Sequence, residues 1–402
     1  MSGFIPNGDA RQKEMLEDAG YAKFDDLLEN IPAKFLLKKR LNLPDPATEM
    51  ELTKEFKVLA GRNSAAGSVS FLGAGSYDHF IPAALDHILL RSEFYTAYTP
   101  YQPEVSQGTL QAIFEYQTMI TRLTGMEISN ASMYDGATAA AEACLMAMRV
   151  KRNNRILVAG SINPRWLEVV RTYLTHEEFE IIDVPYKDDG TLDLEIAGNL
   201  CEGGVAGLLV AYPNYFGLIE NIEPISDLVH SNSGLLIVAS DPVVLPLLRS
   251  PGDAGADIVV GEGQSMGISM TYGGPYIGFM ATRKKLTRKM PGRIIGRTED
   301  RAGQVGYVMT LQTREQHIRR QKATSNICSN EALLALANAV YLSLMGDSGF
   351  RDVSSQCFQK SHYLEGKLLD ISGVTRVFGN TPFFREFVLE FPVSAVEICE
   401  RL

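Results

Sequence analysis

The start of a predicted helix at residues 133–140 has the residue types of an anion site. Its sequence, Met-Tyr-Asp-Gly-Ala-Thr-Ala-Ala, places small residues and a hydroxyl where free backbone N–H groups could face a phosphate. The candidate contacts are Gly136, Ala137 and Thr138. The same residues also suit a capped, closely packed helix, because Asp135 is a good N-cap. From this pattern alone both interpretations stay open.

Asp241 is a candidate for pairing with a ligand ring. It follows a predicted apolar strand at residues 235–239, so it should lie at the carboxyl edge of a sheet, where open α/β sheets carry ligands. A carboxylate there could pair with the protonated ring nitrogen of a pyridine cofactor. Because an Asp-Pro pair also commonly starts a turn, a purely structural role is the alternative.

The segment at residues 261–275 is rich in glycine and leads into another predicted strand. It reads Gly-Glu-Gly-Gln-Ser-Met-Gly-Ile-Ser-Met-Thr-Tyr-Gly-Gly-Pro, and glycines permit close backbone approach. A tight surface turn would explain two of these glycines but not so many. No lysine occurs between Lys187 and Lys284. Since a lysine amine is the group that forms a Schiff base with an aldehyde cofactor, this part of the chain cannot supply that link.

Residues 95–104, Tyr-Thr-Ala-Tyr-Thr-Pro-Tyr-Gln-Pro-Glu, are dense in aromatic rings and prolines. Tyr95, Tyr98 and Tyr101 on a stiff loop could line a polar channel, or they could pack beneath the helix that follows. A second polar segment carries basic side chains at near-helical spacing: Arg314, His317, Arg319, Arg320 and Lys322. These could receive an acidic protein or a substrate carboxylate, although a solvated helix face is the commoner explanation.

The elements that would position these residues alternate between apolar strands and amphipathic helices, as in a parallel sheet with crossover helices. Strands are predicted at residues 155–159, 180–184, 207–211, 235–239, 257–260 and 277–281, and helices at 106–124 and 136–149. Helices at 330–344 and 354–369, a strand near 387–391 and a helix from 394 are predicted to follow. Short amphipathic runs at residues 10–18 and 24–28 favour a helical N-terminal arm that embraces another surface. Because no strand follows the last helix, we expect the C-terminal domain to be cut short.

Composition excludes several functional classes. The 402 residues are 45% apolar, which is enough for a large core, and carry a formal charge of −10, which argues against binding to nucleic acid or anionic membranes. No apolar stretch approaches the roughly 20 residues that span a bilayer, so a cytoplasmic location is predicted. Five scattered cysteines and six histidines form no metal-binding motif, and no metal site is predicted.

Four stretches together resemble the alpha subunits of two-chain glycine decarboxylases, the P-proteins of the glycine cleavage system. They are residues 95–107 (YTAYTPYQPEVSQ), 130–138 (NASMYDGAT), 261–275 (GEGQSMGISMTYGGP) and 311–326 (LQTREQHIRRQKATSN). The resemblance implies an α/β fold of the type I pyridoxal-phosphate-transferase class, with a mostly parallel seven-stranded sheet. It also implies three regions: an arm at residues 1–67, a large domain at 68–330 and a smaller α+β C-terminal domain at 331–402.

The resemblance further implies an enzyme subunit that is inactive alone. In such enzymes the beta subunit binds pyridoxal phosphate through a lysine, glycine is decarboxylated, and the aminomethyl group passes to the lipoyl arm of H-protein. Alignment of the glycine run places Gln264, or Ser265, at the lost lysine position of this chain. The alpha chain would then pair with beta as an α₂β₂ assembly and bind no cofactor, with vestiges of the site at residues 136–138 and at Asp241.

Within that assembly we expect Tyr95, Tyr98 and Tyr101 to line the beta subunit's active site. We expect the basic residues Arg314, Arg319, Arg320 and Lys322 to help dock H-protein, which is typically acidic. Two alternatives stay open on the sequence alone. One is a stand-alone pyridoxal enzyme, such as a desulfurase or decarboxylase, with its lysine elsewhere. The other is a scaffold subunit that contributes no side chain to the site.

Overall fold

The chain is described by a computed structural model that covers residues 7–39, 41–70, 73, 75, 77–176, 178–312, 315–327 and 329–401. Two compact units divide it, Met1–Phe71 and Leu72–Leu402. The first boundary lies close to the predicted end of the arm at residue 67. The further division of the second unit at residue 331 stays a prediction.

The first unit consists of short helices without a core of their own. It contains α1 (Asp9–Asp18), α2 (Glu49–Gly61) and 3-10 turns at Phe24–Leu28, Ala33–Phe35 and Ser64–Gly67. Thr48 caps helix α2: its hydroxyl accepts the N–H of Glu51 while the Glu51 carboxylate accepts the N–H of Thr48. No described side chain of this unit is buried, and Phe24, Phe35 and Phe56 are exposed. Helix α2 is therefore stabilised by its capping box and not by core packing, whereas Gly8 at the start of α1 provides no side-chain cap.

The second unit is built on a seven-stranded sheet of order β1-β7-β6-β5-β4-β2-β3. The strands are β1 (Ile128–Ser129), β2 (Arg155–Ala159), β3 (Glu180–Val184), β4 (Gly207–Tyr212), β5 (Leu235–Ser240), β6 (Ile258–Glu262) and β7 (Gly278–Thr282). Neighbours from β3 to β6 run parallel, and β7 runs antiparallel to both β6 and β1. The mostly parallel seven-stranded sheet and its six predicted strands are confirmed, with bounds that shift by one or two residues.

Helices cover the sheet and account for its apolar strands. The helices of this region are α3 (Ala83–Leu89), α4 (Ser92–Tyr95), α5 (Gln107–Thr124), α6 (Gly136–Lys151), α7 (Pro164–Tyr173), α8 (Leu194–Cys201) and α9 (Ile222–Ser231). Of these, α5, α6, α8 and α9 contact the strands. Helix α6 is buried almost all round, and its alanines at 139–141, 143 and 147 let it pack closely on the sheet. Every residue of β5 is buried, as a sheet covered on both faces requires.

Beyond the sheet, the chain forms a hairpin of β8 (Ile294–Glu299) and β9 (Val305–Thr310), the short helix α10 (Gln316–Arg319) and the long helix α11 (Ala332–Leu369). An antiparallel pair, β10 (Thr375–Arg376) and β11 (Leu389–Glu390), and helix α12 (Ala395–Arg401) follow. The hairpin was not predicted. The predicted break at residues 345–353 is wrong in extent: the segment is helical apart from a kink at Gly346, where φ is +62°.

Helix α11 is the one described helix that is long and apolar enough to cross a bilayer by length and composition alone. Its residues Ala335, Ala337 and Tyr341 are fully buried in the core of the second unit. The polar side chain of Asn338 is also buried and donates to the carbonyl oxygens of Gly263 and Met266. These contacts are those of a core helix, which packs against the segment that follows β6.

Candidate functional site

A pocket of about 120 Å³ lies at the carboxyl edge of the sheet. Asp241 follows β5 and Glu262 ends β6, so adjacent parallel strands bring both carboxyl groups to this edge. Gln264 and Ser265 follow β6 and line the same pocket. The remaining lining comes from Gly75, Tyr77, Ile162, Asn163, Trp166, Ala211, Pro213, Asn214, Tyr215, Gly217, Ala239, Ser240, Pro242, Phe384, Arg385 and Glu386. The structure thus brings together Asp241 and the predicted lysine position.

Gln264 and Ser265 are both buried at the pocket wall. The amide of Gln264 donates from Nε2 to the carbonyl oxygen of Ile268 at 2.6 Å, and its backbone N–H donates to Glu262. The hydroxyl of Ser265 is buried and has no hydrogen-bond partner among the described residues. Neither side chain can form a covalent bond to an aldehyde as a lysine amine does.

Asp241 is engaged by Arg385, a residue that the sequence analysis did not single out. Arg385 Nη2 donates to the Asp241 carboxylate at 2.5 Å, and the guanidinium carbon lies 3.8 Å from the centroid of the Tyr77 ring. Arg385 is 11% exposed and Asp241 is 24% exposed, so the pair is largely shielded from water. The guanidinium therefore binds the carboxylate along its edge and stacks on an aromatic ring with its face, the two contacts that suit its planar charge.

His79 supports the same guanidinium from another side. Its Nε2 lies 3.2 Å from Arg385 Nη1. Burial, and secondly the positive charge of Arg385, lower the pKa of His79, although Asp241 and Asp78 oppose the shift. A neutral imidazole accepts a hydrogen bond at the nitrogen that carries no proton, so Nε2 accepts from Arg385.

The start of helix α6 is occupied by two carboxylates of the chain itself. Asp135 Oδ1 accepts the backbone N–H of Thr138 at 2.7 Å, and Glu262 Oε2 accepts that of Gly136 at 2.9 Å. The indole of Trp166 also lies over Gly136, where an added Cβ would be 2.4 Å from the ring. Two of the three predicted anion contacts, Gly136 and Thr138, therefore already have acidic partners, which are the groups a helix N-terminus prefers.

Glu262 joins this helix start to the pocket. Besides Gly136, its carboxylate accepts the backbone N–H groups of Gln264 and Ile277 at Oε1. Burial raises the pKa of Glu262 to about 7, and the nearby Asp135 adds to the increase, whereas the three N–H donors oppose it. The group is therefore poised to change its charge near neutral pH.

Tyr95, Tyr98 and Tyr101 do not line this pocket. They lie at the end of α4 and in the coil beyond it, with exposed fractions of 61%, 82% and 50%. Buried aromatic packing beneath helix α5 does not account for rings this exposed. The three hydroxyl-bearing rings form part of an accessible surface of the second unit.

A buried arginine ties the tyrosine segment to the basic segment. Arg293 is only 3% exposed; it donates to the hydroxyls of Thr99 and Tyr101 at 3.3 Å each, and its guanidinium lies 5.3 Å from the Tyr101 ring centroid. Its Nη2 also lies 3.6 Å from the buried carboxylate of Glu315, which is 3.5 Å from His317. Two segments that the sequence analysis treated separately thus meet at one buried charge.

The basic residues form no continuous helical face. Arg319 ends α10, Arg320 has a φ of +53°, and a 3-10 turn spans Arg320–Lys322. Arg319, Arg320 and Lys322 are exposed, and Arg314 lies outside the described residues. Among the described residues, no group of three or more His, Cys, Asp or Glu could hold a metal ion.

The side chains that complete both clusters were not predicted from the sequence. Glu262 stood within the glycine-rich segment, and its place at the end of a predicted strand could have identified it. Arg293, Trp166 and Arg385 carry no local signal, because each reaches its partner across a long stretch of sequence. Only the folded chain brings them to the site.

Comparison with known proteins gives a consistent family. The glycine cleavage system P-protein family model matches residues 2–401. A protein of Moorella thermoacetica, described as probable glycine dehydrogenase (decarboxylating) subunit 1, is 51% identical over 399 residues, which cover 99% of this chain and 89% of that protein.

Solved structures agree with this match. An inhibitor-bound glycine decarboxylase (P-protein) of the glycine cleavage system has a TM-score of 0.90 and 40% identity, covering 98% of this chain and 90% of that one. Glutamate decarboxylase of Lactobacillus brevis, at 12% identity and a TM-score of 0.61, covers 90% of this chain and 82% of that one and shares the fold alone. The α/β, pyridoxal-phosphate-transferase-like fold is confirmed, and the chain belongs to the P-protein family of the glycine cleavage system.

Proposed function

We propose that this chain is the alpha subunit of a two-chain glycine decarboxylase, which pairs with a beta subunit that binds pyridoxal phosphate. The observation that carries the proposal is the pair Gln264 and Ser265, which stand at the wall of the sheet-edge pocket in a stretch with no lysine from residue 188 to 283. Support also comes from relatives that are described as subunit 1 of glycine dehydrogenase (decarboxylating). The predicted cytoplasmic location stays a prediction.

The residues at the pocket do not fit pyridoxal phosphate. Asp241, the group that would pair with the ring nitrogen, already pairs with Arg385. The N–H groups of Gly136 and Thr138, which would face the phosphate, already bond to carboxylates. A phosphate would therefore meet negative charge where it needs donors. We accordingly assign the cofactor, which supplies the electron sink for decarboxylation, to the beta subunit.

We propose that this chain acts on the shared active site through its tyrosine segment. The side chains of Tyr95 and Tyr98 are exposed and accessible to a partner surface, while Tyr101 is held by Arg293. A buried guanidinium with several partners fixes the position of a loop better than exposed contacts do. The tyrosines would thereby orient substrate or the lipoyl arm of H-protein and exclude water from the reaction.

We further propose that the basic residues Arg314, Arg319, Arg320 and Lys322 help dock H-protein. The exposed positions of the last three support this role, since exposed charges steer an acidic partner and raise its association rate. Glu315 and His317 connect this segment to Arg293. The basic segment and the tyrosine segment would then both be positioned by the buried charge of Arg293.

Reconstitution with a candidate beta subunit tests the proposal. The two chains are co-expressed, and glycine–bicarbonate exchange is measured with and without this chain. We expect exchange to require both, and full exchange by beta alone would contradict the active-site role. Tyr98→Phe should lower exchange in the reconstituted complex, whereas an unchanged turnover in both Tyr95→Phe and Tyr98→Phe would favour a scaffold.

The cofactor assignment has a separate test. The purified chain is incubated with pyridoxal phosphate and reduced with borohydride, and its peptides are analysed by mass spectrometry. We expect no stoichiometric label at any single lysine. A single lysine labelled to completion would show that the chain is itself a pyridoxal enzyme.

A further inference from the structure

We propose that this chain fills its own cofactor site, with the Arg385 guanidinium in place of the cofactor ring and the Glu262 and Asp135 carboxylates in place of its phosphate. Removal of Arg385 should therefore open a site for a phosphate-free pyridine ring. The inference deepens the proposed function, because it takes Asp241 as the position that faces the ring nitrogen. Its test uses binding to the isolated chain and so can fail independently of the exchange assay.

The Arg385 guanidinium has the shape and charge of the cofactor ring. A protonated pyridine is flat, cationic and donates an N–H from its edge, and an arginine head group has the same three properties. Arg385 donates to Asp241 at 2.5 Å while its face lies 3.8 Å from the Tyr77 ring centroid. The carboxylate and the aromatic ring therefore contact the guanidinium as they would contact a bound ring.

Arg385 is held in this place by its backbone. The N–H of Phe384 donates to the carbonyl oxygen of Gly217 at 3.0 Å, and the N–H of Ile219 donates to that of Pro382 at 2.9 Å. These bonds fasten the segment at 382–384 to the turn that follows β4, at the pocket wall. These backbone hydrogen bonds thus position the Arg385 guanidinium next to Asp241.

The phosphate side depends on the first turn of helix α6. Its N–H groups at Gly136 and Thr138 bond to Glu262 and Asp135 at 2.9 and 2.7 Å. Trp166 covers Gly136 so closely that no added atom fits there. An incoming phosphate would have to displace two carboxylates and an indole, and it would gain only the donors that they already use.

The charges of the pocket lining also support the proposal. Its lining holds the three carboxyl groups of Asp241, Glu262 and Glu386 and the one guanidinium of Arg385. Without Arg385, the pocket would be acidic and would contain an unpaired Asp241. Such a site attracts a flat cation and repels a phosphate.

The experiment compares the binding of pyridoxine and pyridoxine 5′-phosphate, which lack the aldehyde that reacts with surface lysines. Equilibrium dialysis is performed with the wild-type chain, Arg385→Ala and the double variant Asp241→Asn/Arg385→Ala. Arg376→Ala is the matched control, since Arg376 also pairs with a buried carboxylate, Glu365, and lies 5.8 Å from an aromatic ring centroid, but it does not line the pocket.

We expect Arg385→Ala to bind pyridoxine at least about ten-fold more tightly than the wild-type chain or Arg376→Ala, with the gain lost in the double variant. Pyridoxine 5′-phosphate should bind Arg385→Ala no more tightly than pyridoxine. Equal binding of pyridoxine by all four proteins would overturn the ring assignment. Ten-fold tighter binding of the phosphate form would overturn the assignment of Glu262 and Asp135.

A second pair of variants covers the case in which Arg385→Ala does not fold. Arg385→Lys keeps the charge but loses the planar face on Tyr77, whereas Arg376→Lys makes the same change at a looser ring contact. We expect the midpoint of thermal unfolding to drop by roughly 5 °C more for Arg385→Lys than for Arg376→Lys. Equal midpoints would show that Arg385 is an ordinary ion-pair residue.

Discussion

The carboxylate of Glu262, at the end of β6, accepts a hydrogen bond from the backbone N–H of Gly136, the first residue of helix α6, at 2.9 Å. This contact places an acidic side chain of the sheet at the positive end of a helix. It joins two stretches that are 126 residues apart in sequence. The helix start that resembled an anion site is therefore satisfied from within the chain.

The pH dependence of stability should reveal the ionisation of Glu262. The folded-state pKa is about 7, above the ordinary value of 4.5, so between these values the unfolded chain has released a proton that the folded chain retains. The stabilisation is fully present below pH 4.5 and is lost as the pH rises through 7. Over this range the free energy of unfolding should fall by up to about 3 kcal/mol from this group.

Urea denaturation of wild type and Glu262→Gln at pH 5 and pH 8 measures this effect. The free energy of unfolding should fall more between the two pH values in the wild type, because glutamine does not ionise. His79, whose pKa is lowered, acts in the opposite direction and is common to both proteins, so the difference between them isolates Glu262. Glu168→Gln, at an exposed position, should keep the wild-type pH dependence, and the same result for Glu262→Gln would refute the assignment.

Gly217 should tolerate no side chain. Its φ is +82°, and an added Cβ would lie 2.0 Å from the carbonyl oxygen of Glu386, so both strain and a backbone clash oppose alanine. Gly217→Ala should lower the free energy of unfolding by at least about 2 kcal/mol. Gly366→Ala is the control, because this glycine lies within α11 with nothing within 4 Å of the added Cβ, and it should be neutral or stabilising by up to about 1 kcal/mol. Chemical denaturation of both variants measures their free energies of unfolding. Similar free energies would contradict the close approach of Gly217 to Glu386.

Arg293 should be essential for stability because its partner is buried. Arg293→Ala removes the guanidinium that lies 3.6 Å from the buried Glu315 carboxylate, which should cost about 3–5 kcal/mol. Arg249→Ala removes an arginine from an exposed pair with Glu223 and should cost about 1 kcal/mol or less. Urea midpoints of the two variants compare the costs directly, and equal small losses would show that Arg293 does not hold the two segments together.

Restoring a lysine should not restore a cofactor site. In Gln264→Lys the new amine would stand at the pocket wall, yet Asp241 would still pair with Arg385 and the α6 N–H groups with their carboxylates. We expect no stoichiometric label at residue 264 after incubation with pyridoxal phosphate and borohydride, because an adduct there would lack both anchoring contacts. Peptide mass spectrometry gives the result, with labelling of the exposed Lys285 as the background. Complete labelling at 264 would mean that the site accepts the cofactor despite its internal partners.

Six of the seven strands could be predicted from the sequence, because strands buried on both faces are continuously apolar. Strand β1 has only two residues, which are too few to form such a pattern. The sequence also shows that residues 188–283 contain no lysine. Whether a lysine from elsewhere reaches the site depended on the fold, and none is among the described residues that line the pocket. The hairpin of β8 and β9 was not predicted, because its exposed strand ends carry no strong apolar pattern.

The groups that replace the missing cofactor contacts could be identified only in the folded chain. Arg385 reaches Asp241 across 144 residues, and Arg293 reaches Tyr101 across 192. The local sequence does not reveal such pairs, because the residues around a buried, paired arginine can be the same as those around a solvent-exposed arginine. The sheet brings the carboxyl groups of Asp241 and Glu262 to one edge. Because a shielded carboxyl group is costly without a hydrogen-bond donor, each one pairs with a donor from a segment that the fold places at that edge.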